Sequence, residues 1–512
     1  MVQKVETGGP HQGPVMDRET LYARLAPCLC VVPYPRDVLR MPLLAKDARR
    51  NQALAEIDSL KSELDEWHAR WTAADRHDDG SPRGQYQTQL GAVYSEVGGT
   101  AQILRSDLIS LDVSGDAGDV YGKCALAERQ IIWLWRVWYF FRDKFEQRDD
   151  RRFSDILSAA DEVVWSCYRP FFQLPWLKQL RQPAPLPYVE PDFSPAVLRR
   201  DQKQVLDRKD RDFLLVRKAF SDLPVPILKI PITSINNPWA LVLIGHEVGH
   251  VVEPLLEADF RDTFREALRS AIRRAGEKED DQETWGGWAD EIFADLYSIL
   301  TMGQWAVWAM TQFETAEAAV MMERRFLYPS PLVRLALMTA LARHYGLELD
   351  SPVADAAASD EVKRDLGYVG PVVDAITALP QILQLVGALP FSKSSYETKK
   401  LAGNAGEVEQ WSQHLLGKSN SPVSGMLRSA RMVVAGAAHA WSETVFAEGP
   451  NRPKDGGEGL RQNAIAKIKA SAAPGVRSAV APTAPKREPG RALFGVLARA
   501  DDLLDESDAL PR

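Results

Sequence analysis

The chain has 512 residues, of which 45% are hydrophobic and 26% are charged. These fractions are typical of a folded globular protein, and the length allows two to four domains. The net charge of −8 argues against a general nucleic-acid-binding protein, which would usually be basic. No apolar stretch approaches the ~18–20 residues of a membrane span, and no secretory signal is visible. We therefore expect a cytoplasmic protein with no membrane span.

Residues 1–20 are polar and predicted to be disordered, and residues 21–220 are predicted to form a helical N-terminal domain. Helical spacing of apolar residues predicts helices over 45–74, 86–111, 126–145, 155–172 and 195–219. The last of these has Ser194 as N-cap and Pro195 at its first position. The cysteines are Cys28, Cys30, Cys124 and Cys167. Their spacing fits no zinc knuckle, which indicates buried free thiols in a reducing compartment.

A short segment of different character follows, from Leu223 to Ile232. It is β-branched and bounded by prolines, which predicts an edge strand rather than a central one. A substrate backbone could pair with such an edge. The alternative is a proline-rich linker.

The motif His246-Glu247-Val248-Gly249-His250 lies in an apolar stretch, predicted to be helical from Pro238 to Val252. Residues four apart share a helix face, so both imidazoles can reach one metal ion while Glu247 lies beside it. The alternative is a core helix with two hydrogen-bonded histidines. The metal site is favoured because the chain has only eight histidines and because burying an unpaired Glu is costly.

A second pair of side chains complements this motif. A helix over Phe260–Ala275 and an acidic loop over Glu277–Asp281 lead to a helix over Trp288–Met302, on which Glu291 and Asp295 are four apart. A catalytic zinc site has three protein ligands, and Glu291 is the predicted third. Asp295 is the predicted acceptor that orients a ligand histidine. The alternative is an amphipathic helix with two surface acids.

The order H-E-x-x-H followed by E-x-x-x-D resembles that of the gluzincins, the thermolysin-like zinc peptidases. The segment from Tyr328 to Arg334 is similar to the H-P-x-x-x-x-R segment of the HtpX and CAAX prenyl protease family, with Tyr328 in place of the His. The resemblance covers roughly residues 225–345 and implies that Tyr328 and Arg334 lie near the transition-state oxyanion. The alternative is a plain turn before a helix. His344 and Tyr345 are further candidates on chain position alone. Proteins of that family are membrane-embedded, and this chain differs from them because its sequence predicts no membrane span.

The resemblance implies a zinc metalloendopeptidase that acts on protein or peptide substrates. In it His246, His250 and Glu291 bind Zn²⁺, and Glu247 is the general base toward water. Two other interpretations are a non-catalytic zincin-fold regulatory or interaction protein and a helical scaffold with a fortuitous motif. The intact Glu247 favours the enzyme, because a protein that does not cut needs no general base.

Residues 221–350 are thus expected to form a zincin-like core that ends with a helix over 331–346. Residues 351–448 are expected to form a C-terminal helical region, with helices over 360–389, 405–417 and 423–447. The composition of residues 449–491 predicts a Pro/Ala/Gly-rich linker. Residues 492–512 predict an amphipathic helix that docks onto a protein partner or the body, with a loose tail as the alternative. The predicted fold is mainly α with a small β edge element. Rich use of alanine and arginine suggests a high-GC bacterium.

Overall fold

The structure is a computed structural model that describes residues 45–73, 87–169, 171, 183–192, 195–198, 225–257, 259–276, 278–347, 349, 359–388, 405–420, 429–445 and 454–471. The predictions for residues 1–20 and 492–512 lie outside these ranges. Within them the protein is mainly α with a small three-stranded sheet, which confirms the predicted fold class.

The elements are numbered here in chain order. The α-helices are α1 (Lys46–Ala73), α2 (Gln87–Ser110), α3 (Ala117–Glu146), α4 (Ser154–Tyr168), α5 (Ile244–Val252), α6 (Phe260–Arg274), α7 (Glu279–Gly287), α8 (Ala289–Met302), α9 (Gln304–Glu314), α10 (Ala318–Met321), α11 (Pro331–His344), α12 (Asp360–Thr377), α13 (Pro380–Ala388), α14 (Ala405–Leu415), α15 (Ala430–Thr444) and α16 (Glu458–Ala470). The strands are β1 (Leu186–Glu190), β2 (Ala196–Leu198) and β3 (Ile227–Pro231). Short 3₁₀ helices occupy Gln147–Asp149, Ile232–Ile235, Pro238–Leu243 and Glu253–Leu255.

Helices α1 to α3 pack around an aromatic cluster. The ring of Trp67 meets Trp138 edge-on at 4.6 Å between centroids and Phe145 at 5.3 Å. Such offset contacts add to the free energy of burying the rings. A second cluster of buried apolar side chains runs from α4 through α5 and α8 to α16. It surrounds the helix that carries the histidine motif.

The sheet lies between these two clusters. Leu186 and Ile227 belong to the first cluster, and Leu228 and Ile230 to the second, as expected when successive side chains of a strand point to opposite faces. Strand β3 pairs with β1 in parallel and with β2 antiparallel. The prediction of an edge strand over residues 223–232 is therefore wrong, and pairing of a substrate with β3 is excluded. Its prolines stand at or outside the ends of the strand, where the sheet tolerates them.

Three further local predictions are wrong. Residues 196–198 form a strand rather than the start of a helix, because Val197 pairs with β3; the rest of the predicted helix, 199–219, lies outside the described residues. The acidic residues from Glu279 to Asp281 form the first turn of α7 instead of a loop, where a helix dipole favours negative charge. The expected linker 449–491 contains α16, whose Leu460, Ala464 and Ile468 recur at helical spacing and are buried. Cys124 and Cys167 are buried free thiols, as predicted.

Candidate metal centre

The two histidines of the motif lie on α5, which is buried along all nine of its residues. Their rings are 4.7 Å apart between centroids and nearly perpendicular, at 88°. The Nε2 atoms of His246 and His250 approach each other to 3.1 Å. The four-residue spacing therefore brings both imidazoles to one point, as the sequence predicts.

Two glycines let α5 pack closely against α8. A Cβ built on Gly249 would lie 2.8 Å from the Cα of Ala294 and 3.0 Å from the Cβ of Tyr297. A Cβ on Gly245 would lie 3.0 Å from the Oγ1 of Thr301. Any larger side chain at Gly249 would force the helices apart, so the glycines set the distance between the histidines and the acidic residues of α8.

Glu291 of α8 reaches both histidines. Its Oε2 lies 3.2 Å from Nε2 of His246 and its Oε1 lies 3.4 Å from Nε2 of His250. All other residues of α8 are buried, whereas the side chain of Glu291 keeps 16% of its exposure. This carboxylate therefore lies where the buried centre meets solvent.

The donor set fits a divalent metal ion. Atoms bound at 2.0–2.1 Å to a tetrahedral zinc ion are about 3.3–3.4 Å apart, close to the 3.1, 3.2 and 3.4 Å separations around this centre. Two imidazole nitrogens that face each other at 3.1 Å cannot both carry protons, so either one shared proton or a metal ion must lie between their lone pairs. His246, His250 and Glu291 can thus hold one metal ion.

Asp295, one turn after Glu291, holds the far side of the His246 ring. Its Oδ1 lies 2.8 Å from Nδ1 of His246. A proton on Nδ1 donated to this carboxylate leaves the Nε2 lone pair free for a metal. Among the described residues, the buried Nδ1 of His250 has no such partner.

Carboxylates outweigh the guanidinium of Arg334, which lies 3.4 Å from Nδ1 of His246, in setting the charge around this ring. Burial favours the neutral ring, but hydrogen bonds with Asp295 and Glu291 outweigh it and raise the pKa of His246 to about 10. Burial also opposes ionisation of Glu291, yet the nearby imidazoles hold its pKa well below the usual value. Surroundings that favour a proton also favour a cation, which must displace that proton to bind Nε2.

Glu247 lies among the ligands and is 5% exposed. Burial raises the pKa of its carboxyl, with the two histidines acting in the opposite direction. A carboxylate with a raised pKa is a better proton acceptor near neutral pH. Its environment suits a general base.

Arg334 is buried and bound to carboxylates. Its Nε donates to Oδ2 of Asp295 at 2.8 Å and its Nη2 to Oδ1 at 2.8 Å, a bidentate pair that fixes Asp295 against His246. Its Nη1 donates to Oε1 of Glu314 at 3.0 Å. With these donors engaged, the geometry favours a positioning role for Arg334 over the predicted contact with an oxyanion.

The sequence analysis did not predict a role for Glu314. It is 5% exposed, and its Oε2 accepts from Nη1 of Arg325 at 3.1 Å. A chain of contacts therefore runs from His246 through Asp295, Arg334 and Glu314 to Arg325. One sequence signal could have found it, since Glu314 is the only charged residue of α9.

Tyr328 lies at the edge of the centre. The Cζ of Arg334 is 5.3 Å from its ring centroid. The negative charge of Glu291, followed by burial, raises its pKa, so the hydroxyl stays protonated and can donate. Arg334 is in the first turn of α11, which Ser330 caps by accepting from the Val333 amide. His344 and Tyr345 follow about ten residues later, about 15 Å along the helix axis, outside this group.

Comparisons with protein-family models, with curated proteins and with solved structures find no match for this chain. Among the described helices, none alone has the length and apolar character needed to cross a membrane. Two bent helix pairs meet those criteria jointly, Pro238–Leu255 with Phe260–Arg274 and Asp360–Thr377 with Pro380–Gly387.

Proposed function

We propose that this protein is a zinc-dependent peptidase that hydrolyses peptide bonds in protein or peptide substrates. The observation that carries the proposal is the convergence of His246, His250 and Glu291 at 3.1–3.4 Å, with the buried Glu247 beside them. Two histidines and one carboxylate are the ligands of many catalytic zinc sites, which keep one position open.

Each side chain of the centre then has a task. When bound, Zn²⁺ supplies Lewis acidity, which polarises the scissile carbonyl and acidifies water. Glu247 accepts a proton from the attacking water and delivers it to the leaving amine nitrogen as the C–N bond breaks. Asp295 keeps the His246 ring in place, and Arg334 keeps Asp295 in place. The hydroxyl of Tyr328 is the candidate donor to the oxyanion.

The first test is metal content. We expect about one zinc per wild-type chain by elemental mass spectrometry, and loss of that zinc in His246→Ala. His68→Ala is a matched control, because His68 lies on α1 and stacks on Tyr94; this variant should keep its zinc. Failure of both the wild type and the control to bind added zinc would refute the metal site.

The second test is hydrolysis of a peptide library by the zinc-loaded protein. Glu247→Gln should keep zinc and lose cleavage, because the amide cannot accept the proton. Zinc binding without hydrolysis by the wild type would instead indicate the non-catalytic alternative. Loss of zinc in Glu247→Gln would make Glu247 structural and contradict the general-base assignment.

A further inference from the structure

Large apolar side chains are exposed on the segment that joins α9 to α11 and leads into Tyr328. Phe326 is 94% exposed, Leu327 46% and Val320 38%. Phe326 is the most exposed large apolar residue in the part of the chain that the structure describes. An apolar group on the surface of a folded protein often marks an interaction site, especially when several such side chains cluster.

The backbone that carries Phe326 is firmly anchored on its N-terminal side. Arg324 donates to Glu361 at 2.5 Å and to Asp365 at 3.0 Å, and Asp365 is fully buried. Arg325 donates to Glu314, the partner of Arg334. Burying a charge is favourable only with such partners, so these arginines hold the segment in one place.

The C-terminal side is anchored as well. Tyr328 packs over the guanidinium of Arg334, and two residues later Ser330 caps α11. The Cα atoms of residues 326 and 328 are within about 7 Å of each other by chain geometry. Phe326 and Leu327 are therefore exposed on a held segment that continues directly into the centre.

We propose that Phe326 and Leu327 form a specificity surface, which binds a bulky apolar side chain of the substrate close to its scissile bond. This inference rests on the proposed peptidase function and adds the substrate class. Phe326 and Leu327 directly precede Tyr328, the candidate donor to the oxyanion, and this proximity in the chain favours a substrate as the molecule that binds the surface. A second copy of the chain is disfavoured, because Phe326 and Leu327, even together with Val320, offer far less than the ~800 Å² per partner of a typical stable interface.

The experiment compares kcat/KM for paired peptides that differ only in having Leu or Phe versus Ser next to the cleaved bond. We expect the wild type to prefer the apolar peptide and Phe326→Ser to reduce that ratio about tenfold, the scale of one apolar contact. Phe326→Leu should retain most of the preference. Ile132→Ser is the matched control, since Ile132 is 55% exposed on α3 and should leave the ratio unchanged.

An unchanged ratio in Phe326→Ser would overturn the inference while the peptidase function stands. A concentration-dependent dimer that is lost in Phe326→Ser, with the ratio unchanged, would also overturn it and assign the surface to a second copy. If the zinc-loaded wild type cleaves no peptide, the proposed function fails. The specificity surface, which needs a scissile bond beside it, then fails as well, whereas an unchanged ratio in an active enzyme overturns the surface alone.

Discussion

Replacement of Gly249 by alanine tests whether the glycine contact builds the metal centre. The new Cβ would lie 2.8 Å from the Cα of Ala294, about 1 Å inside an ordinary carbon–carbon contact. The obstacle is backbone, which no rotamer change can remove, so α5 and α8 must separate. Overpacking costs about 1–3 kcal/mol, whereas alanine in a helix gains about 0.5–1 kcal/mol over glycine, leaving a net loss between about 0 and 2.5 kcal/mol.

The same displacement should weaken metal binding. Glu291 and Asp295 both move with α8, and the 2.8 Å contact between Asp295 and Nδ1 of His246 would lengthen by several tenths of an ångström. Disturbing the group that orients a ligand histidine typically costs 10–100-fold in metal affinity. We expect a zinc dissociation constant about 10–100 times higher in Gly249→Ala, measured by competition with a chromophoric chelator.

The control is Gly367→Ala in α12. A Cβ there would meet nothing within 4 Å, so we expect a gain of about 0.5–1 kcal/mol and unchanged zinc affinity. Urea unfolding of the zinc-free proteins measures both stabilities. If Gly249→Ala were as stable as Gly367→Ala and bound zinc as tightly as the wild type, the close approach of α5 and α8 would be refuted.

The remaining predictions concern the side chains around the ligands. Asp295→Asn should raise the zinc dissociation constant about 10–100-fold, and an unchanged value in the chelator assay would exclude its orienting role. Glu314→Gln should lower the free energy of unfolding by about 1–3 kcal/mol, because it leaves Arg334 undercompensated. Glu443→Gln removes only an exposed i,i+4 ion pair with His439 and should change the free energy of unfolding by less than about 0.5 kcal/mol; equal effects in urea would contradict the argument. Tyr328→Phe should lower kcat about tenfold or more with little change in KM, whereas a change confined to KM would assign Tyr328 to substrate binding.

Much of the candidate site could be predicted because it depends on helix periodicity. His246 and His250 are four apart on one helix, and Glu291 and Asp295 are four apart on another, so each pair had to share a face. The start of α11 also depends on a local signal, since Ser330 is its N-cap and Pro331 its first helical residue. Such features need only a few consecutive residues, and the structure agrees with the sequence there.

The β-structure shows where local patterns were insufficient. Prolines around Ile227–Pro231 indicated an edge strand. Whether a strand lies at the edge or in the centre of a sheet, however, depends on the strands that other parts of the chain supply as its neighbours. Strand β1 pairs with β3 across a long separation in sequence, and no pattern near β3 encodes that partner. Similarly, composition predicted a linker where α16 forms, because its apolar residues become stabilising only when the rest of the core is present to bury them.

The sequence by itself determined the chemistry of the candidate centre, through two histidines and carboxylates placed by the period of an α-helix. Tertiary structure decided how closely the two helices approach, through the contact of Gly249 with Ala294. It also gave Arg334 its role, because Asp295 and Glu314 come from two other helices and bind its guanidinium inside the core. Side-chain spacing follows from local backbone geometry, whereas burial and charge pairing arise only when distant segments meet.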